Sequence, residues 1–377
     1  MRRMRSFTNW ATVVIFMLTL VPLLTFSTKP WSDPVEKRRS ADFPTAPQDF
    51  SQIAKFQRGI EAYFNDHFGY RNTLIDTRTK IDFWLLAHSS NPLVLIGQNN
   101  WLYFTGKNGI EDFMGQCLLS PQDLDTWAAK LKERHDWLAK QGIAYYFIFA
   151  PNKQSIYPEN MPSYIQRGES TGLDQLKKYL ATKGDFSFIL DSRADLIAQK
   201  GKLPLYYAFD VHWNAYGAYL EYRNIIKRLV AQDQKKGITE VVLPEKDFVP
   251  VEVKTGDLAL MMGFSKFPRA SLNTKYVGPE LPCTKTTPET SPEHVSSKPY
   301  SDFSMECPGD GRSSRLLIFR DSMISGLEKY LGNSFAHTRF VWIYPTTADI
   351  EHYVAVEKPD IVIEERVERT FVAPPDN

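Results

Sequence analysis

Two short segments of this chain carry residue types that can work together on an acyl group. The first is Phe209-Asp210-Val211-His212-Trp213, ahead of the helically periodic NAYGAYLEYRNIIKRLV. Residues two apart in an extended segment point the same way, so Asp210 and His212 can reach one pocket. An imidazole with an ordinary pKa of about 6.5 can take a proton from a hydroxyl and return it, and a carboxylate behind it fixes the ring. Taken alone, the pentapeptide fits equally well a helix cap at Asp210 followed by a half-buried core histidine. The second segment is Ile318-Phe319-Arg320-Asp321-Ser322-Met323, where an apolar strand runs into a polar turn and then a helix-like stretch. A serine there sits at the C-terminal end of a parallel strand, where open α/β sheets place their ligands. It also sits at a helix start, whose amides can face a developing oxyanion. Alone, this segment reads as a helix capped by Asp321 or Ser322. Both segments in one chain make Ser322, His212 and Asp210 a candidate nucleophile, base and orienting acid, because triads are assembled from residues distant in sequence.

Other residues have less specific signals. Asn152 and Lys153 follow the apolar run IAYYFIFA and belong on the same sheet edge, as oxyanion donors, substrate contacts or a solvated turn. Arg320, beside the serine, either faces the pocket or pairs with a carboxylate. Trp101, Tyr103, Trp213 and Tyr216 can stack on sugar rings or fill the core. Asp210 and His212 are also metal-ligand types, but no third ligand stands at a suggestive spacing, so no metal and no cofactor is expected. There are three cysteines. Cys283 and Cys307 bracket a polar stretch and can form a disulfide in an oxidising compartment, leaving Cys117 free.

The elements that must position these groups are legible as alternating helices and strands. Helical LSPQDLDTWAAKLKERHDWLAKQG leads into the apolar run Ile143 to Ala150, and helical GLDQLKKYLATKG leads into Phe186 to Leu190. Near the end Arg315 to Phe319 precedes ISGLEKYLG, then FVWIY and DIVIEE. This rhythm predicts an α/β fold, a parallel sheet covered by helices on both faces. Upstream, residues 51–88 read as two amphipathic helices broken at Phe68-Gly69, followed by a hairpin over Pro92 to Phe104 around GQNN. Residues 28–50 read as a tether and 51–377 as the folded domain, with a polar insertion or loop at about 278–312.

Composition limits the partners. The chain has 377 residues, and 45 Lys plus Arg against 44 Asp plus Glu leave a net charge of +1, which argues against a nucleic-acid partner. Arg2, Arg3 and Arg5 precede an uncharged run from Trp10 to Phe26. That pattern predicts an uncleaved signal anchor over 1–27, a transmembrane helix with the arginines inside and everything after Lys29 carried across the membrane.

The D-x-H-W-N-x-x-G-A pattern with a later D-S turn resembles the SGNH-hydrolase-like domain of the alginate O-acetyltransferase family, of the AlgJ and AlgX type. FNDHFGYRNTLI, WLYFTG, APNKQSIYPE, TGDLALMMG and KPDIVIEERVER agree with it, so the likeness covers nearly the whole chain after the tether. Arg320 departs from it, standing where a glycine opens the G-D-S block of many such enzymes. There is no room for the carbohydrate-binding module of AlgX-like members, which makes the chain more similar to AlgJ. The resemblance implies that Asp210 and His212 supply acid and base and Ser322 the nucleophile. It also implies a polysaccharide substrate, alginate, cellulose or another exopolysaccharide, acetylated through an acetyl-serine. A membrane-bound O-acyltransferase would supply the acetyl groups, and the domain would lie in the periplasm, anchored to the bacterial inner membrane. A carbohydrate acetyl esterase and a non-catalytic polysaccharide-binding scaffold are the alternatives.

Overall fold

The computed structural model describes residues 38–371 apart from 87, 233–236, 265, 284 and 286–301, together with parts of 10–33 and 374–375. The chain forms two compact units, Met1–Val94 with Ala259–Phe267, and Leu95–Leu258 with Pro268–Asn377.

In the first unit, helices α1 (Ile53–His67) and α2 (Arg71–Leu86) are separated by Phe68-Gly69-Tyr70, where Tyr70 takes a positive φ of 58°. The Asp66 carboxylate accepts the amide of Ala41 at 2.7 Å. Phe83 meets Phe264 and Phe267 edge to face, which gives the unit its small aromatic core.

The second unit is built on six strands: β1 (Ala144–Ala150), β2 (Ile189–Asp191), β3 (Phe303–Glu306), β4 (Arg315–Phe319), β5 (His337–Val341) and β6 (Ile361–Val367). Their order across the sheet is β2-β1-β6-β4-β5-β3. Neighbours run parallel except β3, which pairs antiparallel with β5 through Phe340 and Phe303 at one end and His337 and Glu306 at the other. The sheet expected to be parallel is therefore mixed. The edge strand falls inside the stretch read as a polar insertion, because only Phe303 and Met305 point inward and two apolar residues are too short a period to see. Of that stretch, residues 286–301 lie outside the described residues.

Every residue of β6, and every residue of β1 after Ala144, is buried, so both sheet faces are covered. On one face α3 (Pro121–Ala139) lies under Phe147 and Phe149, which Trp127 meets with ring centroids 5.6 and 5.9 Å away. On the other, Tyr146 donates its hydroxyl to Gln232 at the end of α5 (Ala215–Gln232). This alternation follows from the two-residue repeat of an extended strand. Capping boxes start α3 at Ser120 and Asp123, α4 (Gly172–Leu180) at Thr171 and Asp174, and α6 (Thr347–Glu357) at Thr346 and Asp349. The hydrogen bonds of these boxes fix where each helix enters, and so where the preceding chain meets the sheet edge.

The membrane anchor does not stand. Among the described residues no helix is long and apolar enough to cross a membrane, which removes the support for a single-pass inner-membrane location with a periplasmic domain. The uncharged run, about seventeen residues, is at the short end of what a spanning helix needs. Much of 1–27, on which the anchor was expected, lies outside the described residues.

Trp127 is fully buried and donates its indole N–H to the carbonyl of Phe371 at 2.9 Å. Trp127→Ala is expected to lower the unfolding free energy by about 3–5 kcal/mol, read as a fall in the urea midpoint with unchanged slope.

Candidate functional site

The C-terminal ends of β1, β4 and β6 lead into the segments that build the site: Asn152-Lys153, Arg320-Asp321-Ser322 and Glu368-Arg369. Ser322 opens a five-residue 3₁₀ helix, Ser322–Gly326, with the short helix Glu328–Gly332 after it, in place of one continuous helix. Asp321 caps that turn, one carboxylate oxygen accepting the amide of Met323 at 2.8 Å. Its other oxygen accepts the amide of Val367 at 3.0 Å and the Tyr344 hydroxyl at 2.8 Å. The amide of Asp321 in turn donates to Glu365, whose acid burial pushes well above the usual carboxylate range. Asp321 thus ties the serine turn to β6 and takes no place in the hydrogen-bond chain at His212.

Ser322, His212 and Asp210 come together. His212 Nε2 lies 2.9 Å from Ser322 Oγ, and His212 Nδ1 lies 2.6 Å from Asp210 Oδ1. Because an ionised carboxylate can only accept, Nδ1 carries the hydrogen, and Nε2 is left with a lone pair aimed at the serine hydroxyl. Burial alone would raise the Asp210 acid, but the hydrogen bond and charge of His212, with the amides of Asp257 and His212, hold it at about 2. His212 shifts the other way. Burial would lower it, yet the Asp210 hydrogen bond and charge, and then the Asp257 charge, outweigh that and raise it.

Lys153 and Asp257 hold this constellation, although the sequence assigns neither of them that work. Lys153 is buried and gives its three ammonium hydrogens to the carbonyls of Tyr207, Ala208 and Asp210 at 3.1, 3.1 and 2.7 Å. Burial pushes it down to about 7 against the pull of Asp210 and Asp257. It therefore fixes the Asp210 loop and is not the oxyanion or substrate contact expected. Asn152 gives its backbone amide to Glu368 at 2.8 Å, and its side-chain oxygen accepts from Arg369 at 3.1 Å.

Arg320 is buried, paired with Glu328 at 2.8 Å and Ser325 at 2.9 Å, and lies over the Trp342 ring. It serves the wall behind the serine. Tyr216 packs on Phe248 in the core, as do Trp101 and Tyr103 with Tyr157, so none of the three offers a stacking face to the site. Trp213 does line the cavity, and its buried indole N–H has no hydrogen-bond partner among the described residues. Asn214 caps α5, its side-chain oxygen accepting the amides of Tyr216 and Gly217, a role the sequence had offered to Asp210.

The cavity beside the triad has a volume of about 950 Å³ and is lined by Trp213, Tyr276, Leu281, Met305, Ser325 and Lys329 among others. Cys283 lines it as well. The structure joins Cys283 to Cys307, and Asn333 holds the Cys283 backbone through its amide at 3.0 Å and its carbonyl at 3.0 Å. Asp210, His212 and Asp257 place metal-ligand types of atom within 4.8 Å of one another. Both carboxylates stand at Nδ1, Asp210 at 2.6 Å and Asp257 at 3.9 Å.

The model of the family described as SGNH hydrolase-like domain, acetyltransferase AlgX, matches residues 94–296, more than half of the chain. The chain belongs to this family. The AlgX-type match takes in Asp210, His212 and Asp257, while Ser322 lies beyond it, and membership makes the chain an O-acetyltransferase. No curated protein sequence matches the chain. Among solved structures, Bacillus cereus PatB1 with a sulfonyl adduct is 15% identical over 75% of this chain and 100% of that one, with a TM-score of 0.50. The O-acetyltransferase domain of Pseudomonas putida AlgJ is 15% identical over 76% and 94%, with a TM-score of 0.44. Pseudomonas aeruginosa AlgX is 18% identical over 74% and 65%, at 0.42. At such identity the PatB1 likeness is one of fold, here an α/β SGNH-like fold with a mixed sheet.

Lys153→Met keeps the length of the side chain but removes all three hydrogen bonds to the Asp210 loop. It is expected to lower the acetyl-transfer rate by about 100-fold, the cost of roughly an ångström of misplacement, with the far-ultraviolet circular dichroism unchanged.

Proposed function

We propose that this AlgX-family domain acetylates a polysaccharide through an acetyl-serine on Ser322, with His212 as base and Asp210 as its orienting acid. The observation that carries the reading is the continuous hydrogen-bond chain Ser322-His212-Asp210 at the edge of a cavity with room for more than one sugar. Ser322 Oγ attacks the acetyl carbonyl of a donor as its proton passes to His212 Nε2. The tetrahedral species collapses, the donor's oxygen leaves with that proton, and acetyl remains on the serine. A sugar hydroxyl then gives its proton to His212, attacks the ester and departs acetylated, restoring the serine. The donor acetyl is delivered by a partner O-acyltransferase.

The same residues would serve an esterase if water took the sugar's place, so the acceptor decides between the two. Incubating the purified protein with a model acetyl ester and an oligosaccharide should yield acetylated sugar in excess of free acetate. Release of acetate alone, whatever the oligosaccharide, would overturn the transferase reading in favour of an esterase. Ser322→Ala should abolish both products and the acetylated protein seen by mass spectrometry. Unchanged acetylation by Ser322→Ala would leave only a scaffold role.

The pH dependence has a definite sign. A base works only while neutral, and His212 is raised above its ordinary value by Asp210 and Asp257. The acid limb of kcat/KM should therefore fall off at a higher pH than for an unperturbed imidazole, which a pH profile from 5 to 9 would read, roughly centred on about 6.5 if no shift existed.

A further inference from the structure

His212 stands against a second carboxylate, and the chain has gone to some length to put it there. Asp257 Oδ2 lies 3.9 Å from His212 Nδ1, the nitrogen that Asp210 already holds. Three hydrogen bonds close residues 256–258 onto 209–211. The amide of Asp257 donates to Asp210 Oδ2 at 3.0 Å, the amide of Val211 donates to Asp257 Oδ1 at 3.0 Å, and the amide of Leu258 donates to the carbonyl of Phe209 at 3.1 Å. The approach is so tight that a Cβ on Gly256 would stand 2.2 Å from the Phe209 carbonyl oxygen, so only glycine can precede Asp257 here.

This closure is specific to the charged atoms. Each carboxylate accepts an amide from the segment carrying the other, so neither Asp210 nor Asp257 can rotate without breaking a bond to its counterpart. Two anions this close repel, and that repulsion is offset by the imidazole at whose Nδ1 both stand and by the Lys153 ammonium on the Asp210 backbone carbonyl. The groups that face the ring are Asp210, Asp257, Ser322 and, at longer range, Arg369, which opposes the two acids. Burial and the Asp210 charge raise the Asp257 acid to about 6.

We propose that Asp257 is a positioning residue for the acetyl-transfer reaction, locking the Asp210 carboxylate in line with His212 and adding a second negative charge that favours the imidazolium formed as Ser322 is deprotonated. The proposal rests on the triad reading above. It assigns Asp257 two separable effects, an amide clamp through Oδ1 and a charge through Oδ2. Asn at 257 keeps the first and removes the second, whereas Ala removes both.

The test is the pH profile of kcat/KM for wild type, Asp257→Asn and Asp257→Ala, with Ser322→Ala as the control. Asp257→Asn is expected to move the acid limb to lower pH by roughly one unit, the size of effect a unit charge about 4 Å away retains even in water-like surroundings. Asp257→Ala should in addition lower kcat by about 100-fold through misplacement of Asp210. Asp210→Asn should lose at least about tenfold more activity when combined with Asp257→Asn than alone, because the second acid partly takes over the orienting work. A wild-type acid limb and kcat in Asp257→Asn would overturn the proposal even if Asp257→Ala fails to fold. Should Ser322→Ala remain active, it is the triad reading that falls. Loss of activity in Ser322→Ala beside an indifferent Asp257→Asn removes this inference alone.

Discussion

A serine hydroxyl becomes a nucleophile only when a neighbouring base presents a lone pair to it and not a hydrogen, and on the function proposed above the tautomer of one imidazole decides that. The 2.6 Å hydrogen bond from His212 Nδ1 to Asp210 places the hydrogen on the far side of the ring. Every nearby feature can be understood as holding that bond in place. The Asp210 carboxylate is itself fixed by amides of His212 and Asp257, and the backbone beneath it hangs on the three donors of Lys153. A lysine in the interior is costly, and burial pushes it down to about 7. Its survival there follows from the need for three hydrogens converging on three carbonyls from one point, which no other side chain supplies.

On the serine side the constraint is different. The turn after β4 has no glycine where Arg320 stands, and the guanidinium turns away to Glu328, Ser325 and the Trp342 ring. The bulky residue is accommodated by being made structural. Asp321 then fastens the turn to β6, with Glu365 beneath it, its acid raised well above the usual range by burial and by the charge of Asp321. The imidazole is held by a loop pinned to the sheet edge and the serine by a turn pinned to the neighbouring strand, so their 2.9 Å separation is set by the sheet itself.

What the sequence made legible was whatever depends on short-range pattern. The run Arg315 to Phe319 is strand β4 to the residue, and the helices around Trp127 and Leu176 begin at their capping boxes. D-x-H and D-S could be paired because each has its own local signature. Asp257 could not be found that way, since its partner is 47 residues upstream and TGDLALMMG has neither a catalytic spacing nor an unusual composition. The signals it does carry are a glycine directly before an acid and its place in TGDLALMMG, one of the segments that resemble the family, and neither points to a contact with Asp210. For Lys153 the spacing gives the right sheet edge without saying that its hydrogens point into the loop. Tyr216 was chosen for being aromatic near the histidine, and it packs on Phe248 because a helix turns it about 100° per residue away from the pocket. The antiparallel edge strand was invisible because Phe303 and Met305 are the whole of its apolar face.

The bridge between Cys283 and Cys307 joins a residue on the cavity wall to the residue following β3, at a sequence separation of 24. Both ends are independently secured, one by Asn333 and the other by the amide of Cys307 on the carbonyl of Ala336. The cavity wall at Cys283 is therefore tied covalently to the residue after β3 and held in place from the other side by Asn333.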